Sequence, residues 1–313
     1  MKCFRPCDYI SAGSLPRQSV GRAARRPSLN RYNMFLMTLR PGIYVPQAQQ
    51  WQPIETGPAV PLDVTRLTVA TMNVWFGEHH FEERCRATLV LLESYRPDLI
   101  ALQEVTPAFL HRTLEAPWVQ AGYTLSDISG ASVDPYGVPI LSRLPILDWQ
   151  LLPLPGDMER DLVIARTSLQ ETMTFASLHL ESHAYSTSIR AQQLAEVFPH
   201  LAADRHVILT GDFNLDPSWE ENQNLDPTYQ DVWAVLHPSE PGYTEDTDVN
   251  TMRRLQTGKH KQVRFDRILL RSEQPGWRAE SIQMIGTEPI SPDRPEVFPS
   301  DHFGLVGTFV WQS

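Results

Sequence analysis

His206-Val-Ile-Leu-Thr210, followed at once by Gly211-Asp-Phe-Asn214, is the stretch on which the fold turns. Its first half is apolar and β-branched, the composition of a short buried strand. The strand then meets a glycine, which lets the backbone turn tightly, and a carboxylate. Burying Asp212 there is costly unless it is paired or faces a metal ion. Two residues on stands Asn214, which an extended segment would point to the same side. A strand that closes on polar chemistry is therefore the unit to seek elsewhere.

It recurs in both directions. Residues 67–73 form a β-branched, apolar strand that ends in Asn73, and 98–103 form a second that runs into Glu104. Between them 81–95 has a helical pattern ending before Pro97, and Pro107 opens another helix, as proline at a first turn can. Strand-like runs follow at 123–128, 138–142, 146–152, 162–168 and 172–178, the last running into His179. Gln170-Glu171-Thr172 suggests a tight hairpin. A helical stretch over 188–203 precedes the opening strand, and more strands are expected at 265–270, 279–285 and 304–310. Strand runs with two or three interposed helices predict an α/β fold, two sheets packed face to face with helices outside.

Six segments place polar residues directly after, or inside, an apolar strand: Met72-Asn73, Gln103-Glu104, His179-Leu-Glu-Ser182, Gly211-Asp-Phe-Asn214, Arg264-Phe-Asp-Arg267 and Pro299-Ser-Asp-His302. Glu104, Asp212, Asp266 and Asp301, gathered with amides and histidines and without cysteine, suit a hard cation. Magnesium takes oxygen ligands and often uses one or two carboxylates plus substrate phosphate. Each residue also has an ordinary role open to it. Asn73 and Asn214 suit strand-end turns, and Asp212 and Asp216 suit Asx-turns. Glu104 could cap the helix after Pro107, Asp266 could pair with Arg264 or Arg267, and His179 and His302 could be satisfied core histidines. The conjunction of all six, in order and at comparable strand ends, favours chemistry.

Composition sets the surroundings. A hydrophobic fraction of 42% against 20% charged residues gives a substantial core. Cys3, Cys7 and Cys85 make no disulfide framework, so an intracellular, cytoplasmic or nuclear, protein is expected. No run approaches the roughly 18 apolar residues of a membrane span. Residues 1–50 hold eight Lys and Arg against the single Asp8, a net +7 in a chain of net −10, which leaves −17 on the rest. That acidic remainder argues against tight, non-specific binding along a long nucleic acid; a single phosphate held by a metal is compatible with it. The Arg- and Ser-containing tail has no periodicity. Residues 1–60 are expected to be a disordered or non-native leader, with organelle targeting or a nucleic-acid-binding arm as the other readings, and the folded domain to span 61–313. A monomer is expected.

The ordered set Asn73, Gln103-Glu104, His179, Asp212/Asn214, Asp266 and Asp301-His302 resembles the endonuclease/exonuclease/phosphatase (DNase-I-like) superfamily, over about residues 65–312. The resemblance implies a four-layer α/β sandwich, two packed mixed β-sheets flanked by helices, with the active site at one edge of both sheets. His179-Leu-Glu-Ser182, Asp231-Val-Trp233, Tyr243-Thr-Glu-Asp-Thr-Asp-Val-Asn250, Arg264-Phe-Asp-Arg-Ile268 and Phe298-Pro-Ser-Asp-His-Phe-Gly-Leu305 are similar to the 5′-tyrosyl-DNA phosphodiesterases. Those enzymes release a tyrosine left by a stalled topoisomerase from a DNA 5′ phosphate. Three positions depart from that branch: Met72 and Glu245 stand where it has tryptophan, and Leu215-Asp216 where it has Leu-Arg. Losing a cation and an aromatic removes charge and stacking where single-stranded DNA would lie. Another phosphoesterase of the same fold (a nuclease, a sphingomyelinase-like enzyme or a small-phosphoester hydrolase) is the alternative, and an inactive binding scaffold the third reading.

The resemblance also implies roles. Water attacks phosphorus in line, with Asp212 activating or orienting it and Asn214 fixing the phosphate. Glu104 binds magnesium, or manganese in its place, with Asn73 and Asp301 tied to the ion directly or through water. His302 and His179 donate to phosphate oxygens, Asp266 orients His302, and Arg160 and Tyr136 lie near the substrate.

Overall fold

Leu67 and Val69 turn one way from the strand Arg66–Asn73, Ala70 and Met72 turn the other, and both faces are buried. Such two-sided burial explains why the central strands read as continuous apolar runs. In this computed structural model, which describes residues 39–57 and 60–313, the chain forms two mixed sheets. The larger runs, edge to edge, Gly276–Ile285, Gly304–Gln312, Arg66–Asn73, Leu99–Gln103, Ile140–Ser142, Thr124–Leu125, Gly42–Val45 and Gln50–Pro53. The second runs Gln230–Asp231, Asp266–Ser272, His206–Asp212, Thr172–His179, Asp161–Ser168 and Ile146–Pro153.

Three apolar layers hold the sheets. Leu67, Val69, Leu99 and Phe309 of the larger sheet meet Trp149, Phe175, Ile208 and Ile268 of the second. Outside the larger sheet, Met72, Ile100 and Leu102 pack under the helices Phe81–Tyr95 and Pro107–Glu115 through Leu92 and Phe109. Outside the second, Ile164, Leu178 and Leu209 pack under the helix Thr187–Leu201 through Leu194 and Val197. These are the four layers expected. No helix among the described residues is long and apolar enough to cross a membrane.

Pairing direction places the chemistry. Each sheet contains one parallel pair, Arg66–Asn73 beside Leu99–Gln103 and Thr172–His179 beside His206–Asp212. In register, Asn73 lies opposite Gln103, and Asp212 lies opposite both His179 and Asp266. Gly211 has φ +135°, and a Cβ there would meet the Leu178 carbonyl oxygen at 2.0 Å. Only glycine brings the strands this close at the residue before Asp212.

The boundary expected at residue 60 moves. Gly42–Val45 pairs with Thr124–Leu125, and Gln50–Pro53 extends the sheet beyond it. Leu39 is buried in the inter-sheet core, and the Trp51 Nε1–H donates to the Leu114 carbonyl at 3.0 Å. Four-residue strands on a sheet edge carry too little periodicity to stand out. The rest of the expected leader, residues 1–38, lies outside the described residues. A chain begun at Pro61 should melt roughly 5–10 °C below one begun at Leu39, because it exposes the surface that Leu39 and Trp51 cover. Equal melting temperatures would put the hairpin outside the cooperative fold.

The strand expected over 123–128 is only Thr124–Leu125. Asp127 ends it: its carboxylate accepts the backbone N–H and hydroxyl of both Ser129 and Ser132, at 2.6–2.9 Å, and turns the chain. Short helices at Pro117–Gly122, Val232–Leu236 and Met252–Thr257 were not legible.

Candidate active site

Asn73 joins the two sheets. Its Nδ2 donates to Glu104 Oε1 at 3.2 Å and to Asp212 Oδ2 at 3.0 Å, while its Oδ1 accepts the Trp75 N–H at 2.9 Å. Glu104 Oε2 accepts the Phe76 N–H at 3.1 Å. Glu104 does not cap the following helix; the Thr106 hydroxyl does, accepting the Phe109 N–H at 3.2 Å. Glu104, Asn214 and Trp75 all have positive φ, at 59°, 49° and 56°. Bulky residues enter that region only where the surroundings hold them there.

Asp212 is the hub. Besides Asn73 it accepts the Asn214 N–H on Oδ1 at 2.9 Å and lies 3.3 Å from His179 Nε2. Asn214 is thus reached through a turn, not along an extended strand, and its Nδ2 donates to the Leu180 carbonyl at 3.1 Å. Burial alone would raise the Asp212 carboxyl, but the neighbouring His179 and His302 rings and the hydrogen bonds it accepts outweigh this and hold it well below the usual range. It is an ionised acceptor throughout the neutral range.

His179 is held from its far side. Arg160 Nη1 lies 2.9 Å from Nδ1, and guanidinium only donates, so the ring hydrogen sits on Nε2. Although Nε2 is near Asp212, it makes no aligned hydrogen bond. A buried donor without a partner suits a substrate oxygen. The Arg160 guanidinium lies 5.4 Å from the Tyr136 ring centroid, and Tyr136 stacks on half-exposed Phe76 at 5.4 Å and 12°. The sequence-expected pair Arg160 and Tyr136 therefore adjoins the site.

His302 Nδ1 lies 2.8 Å from Asp266 Oδ2, so Asp266 is not the surface partner of Arg264, which pairs with Asp231 at 2.8 Å. Burial would lower the His302 pKa, but Asp266, Asp212 and Asp301 together raise it well above its ordinary value. The ring is an imidazolium. Asp212, Asp266 and His302 offer ligand atoms within 4.8 Å of one another, with His302 Nδ1 already engaged by Asp266. His302 and Asp266 form a hydrogen-bonded pair beside Asp212.

The fit of a metal is better at Glu104. Its side chain is 13% exposed, against 2% for Asp212, 0% for Asp266 and 6% for Asp301. Burial, with Glu104 and Glu245 adding repulsion against His302 and Arg253, pushes the Asp301 carboxyl up to about 6. Two carboxylates that repel one another, one of them partly exposed, match the oxygen chemistry of a hard divalent ion.

Ser300, Thr244 and Asn250 were missed as individuals, although their motifs were read. The Ser300 hydroxyl donates to the Asn73 carbonyl at 2.6 Å, the Thr244 hydroxyl accepts the N–H groups of Phe265 and Asp266 at 3.1 Å, and Asn250 Nδ2 donates to the Ser300 carbonyl at 2.7 Å. They brace the loops that carry the charged groups. A cavity of about 490 Å³ lies instead at the outer helices, walled by Leu89, Val90 and Trp118. It is also lined by Arg86 and Arg112 among Glu82, Glu93 and Glu115, with Arg112 paired to Glu82 and Glu115.

The three departures from the tyrosyl-DNA branch leave this geometry alone. Met72 is buried beneath the outer helices. Asp216 serves a turn, accepting the Ser218 N–H at 2.9 Å and the Arg264 N–H at 3.0 Å. Glu245 is buried and pairs with Lys261 Nζ at 2.8 Å, which lies 5.3 Å from the Phe265 ring centroid.

The tyrosyl-DNA phosphodiesterase 2 of Xenopus laevis is 30% identical over 260 residues, 79% of this chain and 67% of the relative. That of Rattus norvegicus is 32% identical over 269 residues, 82% and 70%. The crystal structure of D. rerio TDP2 with a single-strand DNA product superposes with a TM-score of 0.68 at 27% identity, covering 78% of this chain and 98% of that one. The model of the Endonuclease/Exonuclease/phosphatase family matches residues 70–302, from the first active-site strand to His302 itself, so this chain belongs to that family.

Proposed function

We propose that the chain hydrolyses the phosphodiester that joins a tyrosine to a DNA 5′ phosphate, as a DNA repair enzyme. The carrying observation is the meeting of Asp212, His179 and His302 at the edge shared by both sheets, with Tyr136 and Arg160 beside His179. Magnesium or manganese, held by Glu104 with Asn73 and Asp301, would offset charge on a phosphate oxygen and on the leaving group. Asp212, ionised and fixed by two donors, accepts a hydrogen bond from the attacking water and aligns it. His302 and His179 present N–H donors to oxygens whose negative charge grows as the bond breaks. Asn214 lies beside Asp212 and keeps an amide hydrogen for the phosphate. All these groups come from one chain, so the reading needs no second copy.

A panel of a 5′-phosphotyrosyl oligonucleotide, plain DNA, RNA and sphingomyelin tests the substrate. Preference for the phosphotyrosyl end supports the reading; equal or greater turnover of another member transfers the site to a different phosphoester. Glu104→Gln should raise the magnesium needed for half-activation by about tenfold or more, since it removes ligand charge while keeping shape. Full activity in excess chelator would remove the metal from the scheme.

A further inference from the structure

Arg84 is a buried cation on the inner face of the helix Phe81–Tyr95, 1% exposed. Among the described residues, none of its hydrogen bonds goes to a carboxylate. Nε donates to the His79 carbonyl at 2.7 Å, Nη1 to those of Val74 and Pro299 at 3.1 and 3.4 Å, and Nη2 to those of Trp75 and Gly77 at 3.3 and 2.5 Å. The guanidinium also lies 4.4 Å from the Trp75 ring centroid. Desolvating a cation costs several kcal/mol, and an apolar side chain would seat the helix without that cost. The loops it grips explain its presence. The 74–79 loop supplies the Trp75 N–H to Asn73 and the Phe76 N–H to Glu104. The other loop leads through Pro299, whose carbonyl also accepts the Thr88 hydroxyl at 3.3 Å, to Ser300 and Asp301.

We propose that Arg84 is a positioning residue for the metal-binding edge: it locks the 74–79 and 299–301 loops into one register and thereby sets the separation of Glu104 from Asp301. Its charge also sits behind both carboxylates and offsets their repulsion. The inference rests on the reading of Glu104 and Asp301 as the metal-binding pair.

Arg84→Lys keeps a cation but cannot span five carbonyls, and Arg84→Gln removes the charge as well. In the full chain, manganese binding followed by electron paramagnetic resonance should show half-saturation raised about tenfold in the lysine variant and more in the glutamine variant. On bis-p-nitrophenyl phosphate at saturating manganese, kcat should fall by about tenfold with KM little changed. Melting temperatures measured without metal identify the variants that are folded, and the lysine variant alone suffices. A lower melting temperature with wild-type manganese half-saturation would make Arg84 a structural pin and overturn the proposal, leaving the metal reading intact. Wild-type protein that takes up no manganese would overturn both.

Discussion

Asp212→Asn should lower kcat by at least about a hundredfold, because general-base assistance of this kind is worth about 10²–10⁴-fold. The substitution keeps size and keeps the acceptor for the Asn214 N–H, so the turn survives. What it loses is charge and one acceptor. Asn73 Nδ2 and His179 Nε2 both face Oδ2, and an amide nitrogen there would meet two donors. Melting temperature should shift by only a few degrees, since the neutral amide also relieves the cost of burying a carboxylate. Substrate binding should change little, as the interaction belongs to the transition state. A variant that keeps more than about a tenth of wild-type kcat would strike Asp212 from the catalytic groups.

Asp266→Asn should show its effect as a displaced pH profile. In the native chain His302 is charged across the neutral range because Asp266, Asp212 and Asp301 outweigh its burial. A ring is charged below its pKa, so a raised pKa extends the charged form upward in pH. Removing Asp266 takes away the largest of the raising influences, and burial then draws the pKa down. The charged donor should be lost first at alkaline and then at neutral pH, with kcat down about 10²–10³-fold there, the range for an oxyanion donor. Activity should recover partly as the medium is acidified. A variant whose pH profile runs parallel to that of the wild type would mean that Asp266 does not control the charge of His302.

The sequence was most legible where burial is two-sided. Leu99–Gln103, Thr172–His179 and the helix Phe81–Tyr95 lie within a residue of expectation, because continuous apolar runs and a 3.6-residue period leave few alternatives. The hairpin from Gly42 to Pro53 was hidden by its position on a sheet edge, where one row of half-buried side chains suffices. The candidate site residues are singled out by their place at strand ends, but their partners are not legible there. Asp266 has Arg264 and Arg267 beside it in sequence, and only the antiparallel register opposite Asp212 shows that its carboxylate meets His302. Glu245 read as a lost aromatic; folding makes it half of an ion pair with Lys261, sixteen residues away. Local patterns give elements, whereas pairing partners are set by register and loop closure.

The single amide of Asn73 that reaches from Glu104 of one sheet to Asp212 of the other makes catalysis a report on assembly. A molecule in which either sheet has frayed would keep half of the proposed hydrolytic site and have no way to run it. Nuclease-like chemistry is hazardous when loosely controlled, and a site divided between two layers is silent in every partly folded form. Loss of activity in denaturant should therefore track the separation of the sheets, ahead of the loss of secondary structure within either one.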